Sequence, residues 1–306
     1  MNTTLASTIT KTASKQTYYT IRCLADRSRI EDAYRSYAYF RWVDDILDAE
    51  SISVADRDKF IQQQKSLLDS CYHGEIPQNT SDQEKMLVEL IQNDREMNSG
   101  LQSYLRNMML VMDFDAKRRG GLISQSELHE YSHWLAMAVT DNLHHFIGHG
   151  EFAPYDETRY LAVTAAHITH MLRDTFDDLQ AGYYNIPQEV LDANHIKPQD
   201  IHSDAYRSWV KMRVQLAREY FEAGRSYFSK VRNARCRLAC FAYIARFDWL
   251  LDIFEREEYY LRPSYANEKN AMTGIRMGIN AMSSTLKLNG AGGHSQQVAS
   301  HRLGKL

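Results

Sequence analysis

Residues 37–48 read YAYFRWVDDILD and residues 167–187 read HITHMLRDTFDDLQAGYYNIP. In the first stretch Asp44 and Asp48 are four residues apart, which places both on one face of a helix and turns Asp45 aside. Carboxylates so placed repel one another, and the neighbours Tyr37, Tyr39, Phe40, Trp42, Val43, Ile46 and Leu47 predict partial burial, so a cation is expected beside them. The second stretch repeats the form: His170, Asp174 and Asp178 make an i, i+4, i+8 row with Asp177 beside it. Two such rows suit Mg2+, a hard ion that takes oxygen ligands, draws few from protein and leaves the rest to phosphate. A phosphorylated substrate follows. Arg41 precedes Asp44 by three residues and Arg173 adjoins Asp174, so each row carries a guanidinium that can clamp a phosphate or, more simply, pair with its own carboxylates.

Outward from these rows the chain reads as helical. Its five prolines (Pro77, Pro154, Pro187, Pro198, Pro263) leave long intervals. Within them apolar residues recur at helical steps, as in Trp209, Met212, Leu216, Tyr220, Ala223 and Tyr227. Helices are expected over 16–27, 29–48, 54–72, 82–112, 124–149, 156–182, 202–230, 232–260 and 268–287, with loops near 73–82, 117–121, 148–156 and 185–200. No repeat or linker divides them, so one all-α domain is expected over 15–288 between flexible tails, 1–14 and 289–306.

The 306 residues carry 44% hydrophobic and 25% charged side chains, an ordinary globular composition. Thirty-six basic against 39 acidic residues give a net charge of -3, without the basic excess of a nucleic-acid binder. Four cysteines in no CxxC spacing argue against a zinc site or a disulfide framework and for a reducing, cytoplasmic setting. The N-terminus lacks the apolar run of a secretory signal, and MMLVM at 108–112 falls far short of the roughly 20 residues of a membrane span. Peripheral contact with a membrane is compatible with all of this.

The two acidic stretches, in this order and at this separation, resemble the squalene and phytoene synthase family of head-to-head prenyl synthases. The likeness runs from KQTYY at 15–19, with Thr17 where the family has an early serine that contacts diphosphate, through EYSHWLAMAVT at 130–140 to about Arg262. It implies an isoprenoid-synthase-type helical bundle with a central active-site cavity. Mg2+ would bridge Asp44, Asp48, Asp174 and Asp178 to diphosphate, and Arg41 would bind the leaving group. Metal-assisted loss of diphosphate would leave an allylic carbocation, with no protein nucleophile. Tyr37, Phe40 and Tyr131 would wall the prenyl chain and steady the cation.

Four departures from the family pattern stand out. His170 takes the position of an Asn metal ligand and His167 that of a Gln; imidazole suits transition metals, so Mn2+ or another divalent ion is an alternative activator. LAMAVT replaces a motif with two glycines, placing Met137 and Thr140 where bare backbone would lie. Phe247 replaces a tyrosine. These changes keep open prenyl transfer to a small non-prenyl acceptor, or cyclisation, beside head-to-head condensation. A non-catalytic lipid-binding or assembly protein is a second class, against which the intact carboxylates argue. A di-iron oxidase is a third, resting on Glu130 with His133 and the weaker pair Asp141 with His144. No GxGxxG fingerprint supports NADPH. Chain length, product and oligomeric state are not legible.

Overall fold

The computed structural model describes residues 4–49 and 52–265. The expected helix at 268–287 and the tail at 289–306 lie outside them. The described chain is all-α. Its first seven helices are α1 (Leu5–Ala13), α2 (Lys15–Leu24), α3 (Ile30–Leu47), α4 (Val54–Tyr72), α5 (Asp82–Asn93), α6 (Gly100–Arg118) and α7 (Gln125–Phe146). After them come α8 (Leu161–Arg173), α9 (Thr175–Ala181), α10 (Gln188–Asn194), α11 (Asp204–Ser229) and α12 (Ala234–Arg256). Strand-like pairing among the described residues is limited to an isolated parallel bridge between Ile123 and Pro187.

Serines start many of these helices. Ser53, Ser99 and Ser203 each accept from a backbone N–H of the first turn. Ser81 with Glu84 and Ser124 with Glu127 form reciprocal capping boxes. Two expectations are corrected here. The 82–112 segment is two helices, because Asn98 takes a left-handed conformation (φ 55°) and Ser99 caps a new start. The N-terminus is not a loose tail from residue 4 on: Thr4 caps α1, whose Ala6 and Thr10 are buried, with Thr10 reaching the Tyr34 carbonyl at 3.4 Å.

The chain divides into two compact units. One comprises the chain up to Gly150 together with Asp177–Asp200; the other comprises Glu151–Phe176 and the chain from Ile201 on. The backbone passes between them three times, once inside α9. The first unit packs α6 on α7 and α3 on α1 and α5, burying Tyr39, Leu87, Leu90 and Leu105. In the second, α11 packs on α8 and α12 over Ile168, Leu172, Phe221, Phe228 and Phe254. No helix of the described residues is long and apolar enough to cross a membrane.

Candidate active site

In the first unit α3 buries Ala38, Tyr39, Phe40, Val43 and Leu47 on one side. That leaves Asp44 and Asp48 at the edge of its buried face. Asp44 is pushed up to about 6 by loss of hydration and by the charges of Asp48, Asp115 and Asp45, against the opposing pull of Arg41. Asp48 is raised as well, by burial and then by Asp115. The repulsion read from the spacing is therefore present, and a third carboxylate joins it.

That carboxylate, Asp115 of α6, was absent from the sequence reading. Its two oxygens accept from Tyr131 Oη at 2.8 Å and from Arg118 Nε at 2.7 Å. Arg118 also donates to Asn185 Oδ1 at 2.9 Å, and Asn185 Nδ2 donates to Asp178 Oδ2 at 2.6 Å. The guanidinium lies over the rings of Tyr183 (4.9 Å), Tyr131 (5.1 Å) and Phe114 (5.9 Å). The charges of Asp115 and Asp178 hold it protonated in spite of its burial. A turn delivers Asp178 and Asn185 to this network: Gly120 donates to the Gly182 carbonyl at 2.7 Å and Arg119 Nε to that of Ala181 at 2.9 Å. Gly182 has φ 85°, a conformation that favours glycine. The hint in the sequence was the Asp-x-x-Arg spacing at 115–118 in the apolar run MMLVMDFDAKRR.

Other predicted residues of this unit have more local duties. Arg41 pairs with Asp44 at 3.2 Å and with Asp45, whose side chain is 53% exposed. Thr17 turns its hydroxyl to Ser14 Oγ at 2.9 Å, within the cap of α2. Tyr37 lies within electrostatic reach of Arg41. Tyr131 is buried, Met137 half-buried, and Thr140 fully buried, its Oγ1 making no hydrogen bond among the described residues. Asp177 is exposed.

In the second unit the predicted row does not lie on one continuous helix. α8 ends at Arg173, Asp174 caps it by donating its N–H to the His170 carbonyl at 2.9 Å, and α9 begins at Thr175. Asp178 falls beyond this break, in the first unit. Arg173 clamps Asp174 with two bonds of 2.6 and 2.5 Å. His167 is buried. The His170 ring meets Phe247 edge to face at 5.2 Å, and Phe247 in turn meets Tyr243 at 5.2 Å.

Among the described residues no three His, Cys, Asp or Glu side chains converge closely enough to hold a metal by themselves. The donor chemistry of the first unit nonetheless fits a hard cation. Asp44, Asp48, Asp115 and Asp178 offer oxygen alone, and the raised Asp44 and Asp48 mark a surplus of negative charge that a divalent ion relieves.

Residues 10–268 match the profile of the squalene/phytoene synthase family. The chain belongs to that family. A curated family relative, the 15-cis-phytoene synthase of Synechocystis sp. (strain ATCC 27184 / PCC 6803 / Kazusa), is 30% identical over 113 residues, covering 35% of this chain and 33% of the relative. The match thus spans a third of that relative's length. Among solved structures, the squalene synthase HpnC of Alicyclobacillus acidocaldarius is similar with a TM-score of 0.66 at 17% identity, covering 84% of this chain and 94% of the other. A dehydrosqualene synthase in complex with ligand is similar with a TM-score of 0.69 at 18% identity, covering 91% and 94%. At these identities the structural likeness establishes the isoprenoid-synthase-type helical fold.

Proposed function

We propose that this chain condenses prenyl diphosphates head to head with the help of a divalent ion, Mg2+ in the first instance. The observation that carries the reading is the like-charge crowding of Asp44 and Asp48 with Asp115 in a chain of the squalene/phytoene synthase family, with Asp44 raised to about 6 by burial and like charge. The names of the relatives, a phytoene synthase, a squalene synthase and a dehydrosqualene synthase, support it. Asp44, Asp48, Asp115 and Asp178 would hold the ion. Bound there, it supplies Lewis-acid stabilisation of the departing diphosphate.

The chain's own groups do the rest. Arg41 exchanges its pairs with Asp44 and Asp45 for diphosphate oxygens. Asp115 fixes the Tyr131 hydroxyl, so that the ring keeps one orientation. Within the second unit, Arg173 could exchange its two bonds to Asp174 for phosphate oxygens.

The test is incubation of the purified full chain with prenyl diphosphates of several lengths, with and without Mg2+, and identification of products by mass. A product coupling two prenyl chains should form, vanish with chelator and return with metal. Intact diphosphates with both Mg2+ and Mn2+ would overturn the reading. Consumption solely in the presence of a non-prenyl acceptor would reject head-to-head coupling and keep prenyl transfer.

A further inference from the structure

The second unit contains an arginine that nothing above uses. Arg213 sits on α11 between Val210, Val214 and Ala217, each of them 0% exposed. Its own side chain is half-buried. Most other arginines of this unit that are drawn into the structure find oxygen, while Arg246 lies over the Phe247 ring at 5.5 Å. Arg159 donates to the Tyr227 hydroxyl at 2.9 Å and Arg237 to the carbonyls of Val231 (2.7 Å) and Arg232 (2.8 Å). Arg218 pairs with Asp252 and Glu255, and Arg225 with Asp248. Arg213 makes no ion pair and no hydrogen bond among the described residues. Burial pushes its pKa down to about 10, opposed by the Tyr220 phenol.

Two contacts fix where this guanidinium stands along its helix. Near the end of α11, Gly224 is so close to α8 that a methyl built on it would stand 2.5 Å from Ala162 Cβ. Just before α11 begins, the His202 ring lies 6.2 Å from Phe176, just past the end of α8. The two helices are therefore antiparallel, and Arg213, midway between the anchors, lies on the stretch that runs beside the C-terminal half of α8. That half carries His170 and Arg173 and leads into Asp174.

A guanidinium partly withdrawn from water without a counter-charge is costly, and a bound anion would supply that charge. We propose that Arg213 is an anion-binding residue that takes phosphoryl oxygens of a diphosphate headgroup. The assignment rests on the reading of the substrate as a prenyl diphosphate. A planar fork of N–H donors matches a diphosphate better than a point charge does, which accounts for arginine rather than lysine here.

The probe is inorganic pyrophosphate, titrated calorimetrically into the full chain without turnover, beside inorganic phosphate and sulfate. Arg213→Met should weaken pyrophosphate binding about tenfold or more, and Arg213→Lys should weaken it less. The melting temperature of the ligand-free Arg213→Met protein should hold or rise, because the substitution removes an uncompensated charge. Unchanged pyrophosphate affinity would overturn the proposal. So would a lower melting temperature in the free variant, since that would reveal a stabilising partner inside the protein. Equal losses for phosphate and sulfate would reject the diphosphate headgroup in favour of a free anion. Because no turnover is read, a chain that fails to couple prenyl diphosphates yet binds pyrophosphate through Arg213 separates the catalytic reading from this one.

Discussion

Tyr131 and Asp115, on consecutive helices, are joined by a hydrogen bond of 2.8 Å from the phenol to a carboxylate whose other oxygen accepts from Arg118. The bond gives a carboxylate and a buried ring one fixed geometry beside Asp44 and Asp48. Asp115→Ala would leave the Arg118 guanidinium and the Tyr131 hydroxyl with a lost partner, and should destabilise the protein by about 1–3 kcal/mol as well as lower turnover. Tyr131→Phe removes only the donor and should cost less stability. Chemical denaturation of both variants, with turnover measured in parallel, checks the order; equal stabilities for the two would refute it.

Asp44 sets a pH dependence of definite sign. Its pKa rises from 3.8 to about 6 on folding. The folded state therefore binds this proton more tightly than the unfolded chain. The ionised carboxylate opposes folding above pH 6, and that opposition is relieved as pH falls from 6 towards 4. Its side chain is 38% exposed, so water screens part of the effect. Asp44→Asn should abolish activity while raising the melting temperature at pH 7.5, with the gain shrinking towards pH 5. Asp174 differs, because it neutralises Arg173 through two bonds; Asp174→Asn should abolish activity without the thermal gain. Differential scanning calorimetry across this range decides between the two behaviours.

His145 works in the opposite direction. It is 4% exposed, its Nε2 lies 2.6 Å from Arg29 Nη1, and its ring packs 4.9 Å from His149, which bonds Glu96 at 2.6 Å. Burial, then Arg29 and His149, pull its pKa from 6.5 down to about 3, with Glu96 opposing. The unfolded state thus takes up the proton first. The stability held with neutral His145 is complete above pH 6.5 and is lost as pH falls towards 3, by at most about 1.4 kcal/mol per pH unit. His145→Gln should flatten the melting temperature between pH 6.5 and 4.5, and an unchanged slope would sink the assignment.

These carboxylates differ in how far the sequence exposed them. Asp44 and Asp48 were legible because the spacing of four and the aromatic residues around them lie within one helix. The break at Asp174 was not, for HMLRDTFDDLQA has neither glycine nor proline. Thr175 marks it by turning its hydroxyl back to the carbonyls of Met171 (2.9 Å) and Leu172 (3.1 Å), a local competition that residue type alone does not announce. The break at Asn98–Ser99 had its signals in MNSG, which the longer apolar periodicity masked. Asp115 gains its meaning only when α6 meets α3 and α7, a long-range pairing with no mark in the local pattern.

The last prediction concerns Met137 and Thr140, three residues apart on α7 and standing where the squalene/phytoene synthase family has glycines. Side chains at these positions would narrow the substrate's space and exclude one of two long prenyl chains. Thr140 is 1% exposed, and its hydroxyl makes no hydrogen bond among the described residues, whereas Met137 keeps partial exposure. The two positions should therefore separate experimentally. Thr140→Val keeps the shape and removes a buried hydroxyl without a partner, so it should hold or raise stability by about 1 kcal/mol and leave chain-length preference alone. Met137→Gly with Thr140→Gly removes two side chains, at an intrinsic helix cost of about 1 kcal/mol each, and should admit longer prenyl diphosphates or shift products towards head-to-head coupling. If Met137 merely fills core, the double variant loses stability, by about 2 kcal/mol or more from packing alone, and its chain-length profile stays as it was. Profiling products against prenyl length, alongside the melting temperature of each variant, distinguishes a gate from a packing residue.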